Sequence, residues 1–163
     1  MLPIMALVTW LVAAVLGLQL LRIWVQGGGG QPGRSHVRLS VMLGHAGGAV
    51  AAVALLVAYL LVDRPDRLAW TTVAVTLTTS LLGAVMYIPW WLRRRRGLQA
   101  RASRTAELVA AGGAPLPRPA SPGAGPSDVL PVERRYPNRI VLAHGLVADL
   151  TLALVVLVAL NLG

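Results

Sequence analysis

Four stretches of this chain are almost unbroken apolar runs, each close to the length a helix needs to cross a bilayer. They fall at about residues 3–25, 39–62, 68–92 and 139–162. A hydrocarbon core roughly 30 Å thick takes about 20 helical residues. It offers backbone N–H and C=O groups no partner, so only helices and closed barrels cross it. None of the four runs alternates residue by residue as a barrel strand does. The expected fold is therefore all-α: a single-domain, four-helix transmembrane bundle. Composition agrees, with 56% hydrophobic residues, 13% charged residues and a mean hydropathy of +0.67. The charged share is about half that of an ordinary soluble domain.

The chain has no cysteine. That excludes disulfides, iron–sulfur clusters, thiolate zinc sites, a cysteine nucleophile and covalent haem attachment. The net charge of +9 comes from 15 basic residues, all of them arginine. In a soluble chain this would point to nucleic acid. Here the arginines flank the apolar runs and sort to one side, so no nucleic-acid partner is expected and orientation explains them. Arg22, Arg34 and Arg38 flank the first connection, and Arg93, Arg94, Arg95, Arg96, Arg101, Arg104, Arg118, Arg134, Arg135 and Arg139 lie in or beside the third. Only Arg64 and Arg67 lie on the other side, next to Asp63 and Asp66. The positive-inside rule then predicts a plasma-membrane protein with both termini outside. Trp24, Trp90, Trp91 and Tyr136 would mark the inner interface, and Tyr59 and Trp70 the outer one. The first run lacks a basic segment ahead of it, so it reads as a retained span rather than a cleaved signal.

The connections differ in kind. "VDRPDR" (Val62–Arg67) predicts a tight polar turn. "QGGGGQPGRSH" (Gln26–His36) predicts a flexible linker with His36 in solvent. Residues 97–138 are rich in Arg, Ala, Gly and Pro and predict a flexible cytoplasmic loop, in which "LQARASRTAELVAA" (Leu98–Ala111) is able to form a short surface helix. "WWLRRRRG" (Trp90–Gly97) predicts an anchor for anionic lipid headgroups, each arginine contributing about 1 kcal/mol near the surface. "GGGG" (Gly27–Gly30) follows no strand and opens no phosphate-binding helix. The embedded serines, Ser40 and Ser80, lie at different depths, so no Ser–His–Asp arrangement is expected and no catalytic residue is assigned.

Two segments share a pattern. "VMLGHAGGAV" (Val41–Val50) and "IVLAHGLVAD" (Ile140–Asp149) each place a histidine shortly inside an apolar run. Aligning His45 with His144 also pairs Leu43 with Leu142, Gly44 with Ala143 and Ala49 with Ala148. Both segments enter from the same side, so the two imidazoles are expected at one depth. Two neutral imidazoles are the axial ligands of a b-type haem. Small residues beside them (Gly44, Gly48 and Ala49; Ala143, Gly145 and Ala148) would give a macrocycle room, and Arg38 and Arg139 stand where propionates need cations. The same pair also suits plain packing, since Gly44 and Gly48 have the four-residue spacing of close helix contact in membranes. Asp149 falls near the middle of the fourth run, where an ionised carboxylate costs at least about 2.5 kcal/mol. It is expected to face the bundle, near Thr72, Thr76 and Thr79 or Gln19.

"ERRYPNRIVLAHGLVADLTLALVVLVAL" (Glu133–Leu160), with "LGHAGGAVAAVALL" and the basic end of the third run, resembles small uncharacterised four-span membrane proteins of high-GC bacteria. That resemblance implies the topology. A looser similarity to the membrane subunits of b-type cytochromes implies haem held by histidines on separate helices. Three functions fit these residues: a bis-histidine haem b electron-transfer protein, a non-catalytic accessory or assembly subunit of a membrane complex, and a proton- or solute-conducting unit around Asp149.

Overall fold

In the computed structural model the chain forms four helices, α1 (Leu2–Gln26), α2 (Leu39–Leu61), α3 (Asp66–Ala110) and α4 (Asn138–Ala159). A 3-10 turn, Val132–Arg135, precedes α4. The structure describes residues 1–62, 66–110, 112 and 131–160, and no strand occurs among them. Asp63 and Arg64 of the expected polar turn, residues 113–130 of the long connection and residues 161–163 lie outside the described residues.

All four helices are long and apolar enough to cross a membrane. Their chemistry is inverted relative to a soluble bundle. Large aliphatic side chains face outward along every helix, with Leu18 63%, Val50 68% and Leu146 73% exposed. A soluble chain does not tolerate an apolar surface of that extent. The interior is instead built from small residues and threonines: Ala6, Ala13, Ala52, Ala69, Thr72, Thr76, Thr79 and Thr151 are all buried. Each buried threonine donates its hydroxyl to the carbonyl four residues back, as Thr76 does to Thr72 at 2.7 Å. The hydroxyl is thereby satisfied within its own helix, and threonine packs as a small residue.

The helices run up and down in sequence. Helix α1 packs along α4, and α2 packs along α3; α3 also meets α4, and α1 meets α2 more lightly. Helices α2 and α4 therefore stand diagonally across the bundle. One end is closed by Ala6, Leu56, Tyr59, Ala69, Leu154, Val155 and Val158.

The other end is closed by an ordered cap where the sequence predicts a flexible linker. Gly28 adopts φ +74° and turns the chain out of α1. A Cβ on Gly29 would fall inside the Trp24 indole, and one on Gly27 would come within 2.6 Å of Val132. The glycines are thus places where side chains are excluded, and the absence of a Cβ is what lets the turn close. The Trp24 indole N–H donates to Ser35 Oγ at 3.0 Å, and Ser35 donates to Glu133 Oε1 at 2.5 Å. The same carboxylate oxygen accepts from the backbone N–H of His36 at 2.9 Å. Trp90 donates its indole N–H to the Glu133 carbonyl at 3.2 Å, and Val132 N–H donates to the Arg34 carbonyl at 3.0 Å. Glu133 is buried. His36 is exposed, as its sequence position predicts.

The helix that the sequence allows from Leu98 forms as far as Ala110, but it is continuous with the third span: α3 runs 45 residues, straight through the four arginines. Arg, Leu, Ala, Gln and Glu dominate this stretch and are strong helix formers. Pro89 sits inside the helix, where it gives up one backbone hydrogen bond. Arg94 lies over the Trp90 ring, 5.7 Å from its centroid.

Two outcomes follow for the cap. Gly29→Ala should overpack Trp24 and cost about 1–3 kcal/mol, while Gly30→Ala, which meets only the Trp24 ring edge at 3.8 Å, should be near neutral. Thermal midpoints by intrinsic fluorescence in detergent compare the two. Burial, aided by the Glu133 carboxylate, pushes the Tyr136 hydroxyl far above its ordinary range. Its contribution to stability is then complete below about pH 10, where tyrosine in an unfolded chain ionises. It should fade as pH rises beyond that, and Tyr136→Phe should remove this part of the alkaline destabilisation.

Candidate functional site

The site is the histidine pair. His45 reaches inward from α2 and His144 from α4, and the two rings meet with centroids 6.1 Å apart and planes at 79°. The helices that carry them do not pack on each other, so the imidazoles bridge the diagonal of the bundle.

Each ring is fixed by the helix beside it. His45 Nδ1–H donates to the Thr79 carbonyl of α3 at 2.9 Å. His144 Nδ1–H donates to the Ala13 carbonyl of α1 at 2.9 Å. A carbonyl only accepts, so both rings carry a hydrogen on Nδ1, and Nε2 is the ring nitrogen left without a bond to a neighbouring helix. Four residues beyond each accepting carbonyl stands a glycine. Gly83 lies under His45, and a Cβ there would come within 3.1 Å of Cε1. Gly17 lies under His144, and a Cβ there would come within 3.0 Å of Cε1. The pairs α2–α3 and α4–α1 thus repeat one device: a histidine, a carbonyl and, one turn on, a glycine.

The small residues adjacent to the histidines in sequence play a different part from the one expected. Gly48 packs against the Thr79 side chain and Gly44 against Leu82. Both line an open groove of about 220 Å³ between α2 and α3, with Ala74, Thr78 and Leu82. They serve the α2–α3 contact rather than the space between the rings. Gly145 has nothing within 4 Å of where its Cβ would stand. The room beneath the rings comes from Gly17 and Gly83, on helices that carry no histidine. Gly83 shares a helix face with Thr76 and Thr79 in the sequence, but nothing marks Gly17.

Arg38 caps the start of α2 and Arg139 stands in the first turn of α4; both are exposed. They lie seven and five residues before their histidines, about 10 and 8 Å along the helix axes. Arg22, five residues past Gly17 and also exposed, adds a third cation at this end of the bundle.

Asp149 is not where the sequence predicts. It is exposed on the outer face of α4. The hydroxyls of Thr72, Thr76 and Thr79 are all committed within α3, and Gln19 is exposed on α1. The helical period explains the difference. Five residues separate Asp149 from His144, about 140° around the helix, so turning His144 inward turns Asp149 out.

No group of three or more His, Cys, Asp or Glu side chains is gathered into a metal-binding cluster among the described residues. Comparison with protein-family models, with curated proteins and with solved structures finds no match to this chain.

If the glycines are what seat the rings, enlarging them should disturb both halves alike. Gly17→Val and Gly83→Val should each lower stability by about 1–3 kcal/mol. Gly47→Ala, whose Cβ would meet nothing within 4 Å, should change it little. Thermal unfolding of the three variants under one condition checks this.

Proposed function

We propose that the protein is a membrane-embedded, one-electron carrier that holds haem b between His45 and His144. The observation that carries this reading is the tethered, convergent histidine pair. A ligating histidine characteristically gives its second ring N–H to a carbonyl or carboxylate, which fixes the tautomer and aims the ligating nitrogen. Here both Nδ1 positions are committed in that way, to Thr79 and Ala13. Two ring nitrogens on one metal ion, with bonds of about 2 Å, bring imidazole centroids to roughly 6 Å. The observed 6.1 Å fits that spacing.

When bound, the haem iron supplies the chemistry, cycling between ferric and ferrous states at the cost of one electron. The chain's own residues hold and insulate it. Nε2 of His45 and of His144 would hold the iron. Gly17 and Gly83 keep α1 and α3 clear of the rings. Arg38 and Arg139, with Arg22, offer the propionates cations at the nearer end of the bundle. The aliphatic outer surface faces lipid, and the arginine distribution supports a cytoplasmic placement for the capped end, with Arg93, Arg94, Arg95 and Arg96 among anionic headgroups.

The accessory-subunit reading treats the same pair as packing residues, and the tight Gly48–Thr79 contact favours it. Plain packing, however, does not call for two imidazoles with centroids 6.1 Å apart across the diagonal of the bundle. The two readings separate in one experiment. Protein purified from haem-replete cells should show a sharp α-band on dithionite reduction. His45→Ala and His144→Ala should each abolish it, and His36→Ala should leave it unchanged. A colourless protein after haem reconstitution would leave the accessory reading standing.

A further inference from the structure

Helix α3 continues well past its membrane-spanning part. Tyr87, Trp90 and Trp91 cluster near the ordered cap, with ring centroids 5.7 to 6.4 Å apart, as aromatic side chains do at a membrane interface. From Trp91 to Ala110 the helix rises roughly 28 Å further. Apart from Arg94 and Leu108, every residue along this arm is exposed. A polar helix that buries neither face is ordinarily supported by something it bridges to.

Three arginines of the arm share one face. Trp90 is buried and gives its indole N–H to the Glu133 carbonyl, so it points at the 3-10 turn. Arg94, Arg101 and Arg104 fall within about 40° of Trp90 around the helix axis, and that face of the arm stands over the same turn. The turn itself carries Arg134 and Arg135, both exposed. Guanidinium groups thus line both sides of one corner. Among the described residues, the carboxyl groups at this end belong to Glu107 and Glu133. Glu107 lies about 100° around the arm from Trp90. Glu133 is buried and accepts from Ser35, His36 and Val37. Residues 111–130 carry Arg118 and Asp128, whose charges cancel.

We propose that this corner is a docking surface for an acidic segment of a water-soluble protein, whose carboxylates pair with Arg101, Arg104, Arg134 and Arg135. The inference rests on the membrane placement proposed above and is independent of haem.

Charge complementarity and reach select that occupant. The headgroup layer is about 5–8 Å deep on each side of the hydrocarbon, and exposed charges are screened from one another beyond about 8 Å at physiological ionic strength. Arg93 to Arg96 rise no more than roughly 8 Å past Trp91 and suit headgroups. Arg101 and Arg104 rise roughly 15 and 20 Å past it and stand clear of them. A nucleic acid is held by the number of phosphates neutralised and, when single-stranded, by bases stacked on aromatic rings. Beyond Trp91 the arm has no aromatic residue, and Arg101 and Arg104 are its only arginines past Arg96. An acidic protein segment needs only a few pairs, and the guanidinium fork meets a carboxylate with two hydrogen bonds.

The test uses the full chain in nanodiscs of phosphatidylcholine, which has no net charge. A fluorescein-labelled oligoglutamate peptide is titrated with it and followed by fluorescence polarisation. Arg101→Gln with Arg104→Gln, and Arg134→Gln with Arg135→Gln, should each raise Kd about fivefold or more. Arg95→Gln with Arg96→Gln removes the same charge from the headgroup layer on the far side of the helix, and should change Kd by less than about twofold. Including phosphatidylglycerol should leave the dependence on Arg101 and Arg104 in place. Absence of peptide binding, or equal weakening by all three pairs, would overturn the proposal. An oligothymidylate of equal charge that binds more tightly through the same arginines would overturn it in favour of a nucleic acid. Release of the peptide by phosphatidylglycerol would overturn it in favour of lipid. Loss of the protein from membranes washed with alkaline carbonate would instead overturn the membrane placement itself.

Discussion

An imidazole donating Nδ1–H to a backbone carbonyl of a neighbouring helix is the interaction on which this bundle's arrangement depends. It occurs twice, from His45 to Thr79 and from His144 to Ala13. A side chain bound to a carbonyl in the middle of another helix fixes the sliding register of the two helices as well as their rotation. The carbonyls at issue already accept within their own helices, so the second bond uses a spare lone pair. Such a bond is worth only about 1 kcal/mol net in water. Its weight here is geometric, because it decides which residues of α1 and α3 lie beneath the rings, and those residues are glycines.

From that register the rest follows. The rings turn inward across the diagonal and meet with centroids 6.1 Å apart. Threonines that satisfy themselves within α3 and α4 let the helices close without demanding partners. The open end is tied by Glu133, which gathers the Ser35 hydroxyl and the His36 amide on one oxygen and anchors Trp90 through its carbonyl. This cap joins the connection after α1 to the segment leading into α4. It thereby ties the α1–α4 pair to the α2–α3 pair at this end of the bundle.

Helix number and the approximate boundaries of α1, α2 and α4 were legible because apolar length is a one-dimensional signal; the far end of α3 was not, because its last two turns and more are polar. The histidine pair was legible because its surroundings recur in "LGHAGG" and "LAHGLV". What the sequence hid are properties of faces and of register. Gly17 looks like any glycine in an apolar run until His144 is seen above it. Gly27 and Gly29 read as linker because glycine-rich sequence lacks side chains for either of two reasons, freedom or exclusion, and only contact with Trp24 and Val132 distinguishes them. Asp149 was assigned to the interior on cost alone. The same helical period that brings His144 inward places it outside, a constraint that becomes visible only when one residue of the helix is oriented.

The proposal to test first is that His45 and His144 together would hold one haem iron, with ring planes at the observed 79°. Low-temperature electron paramagnetic resonance of the oxidised protein addresses it most directly, because the low-spin ferric signal reports both the ligand type and the angle between the imidazole planes. The account predicts a strongly anisotropic low-spin signal, of the kind given by two imidazoles with planes near the observed 79°. A high-spin signal, or no iron signal from protein purified out of haem-replete cells, would contradict it.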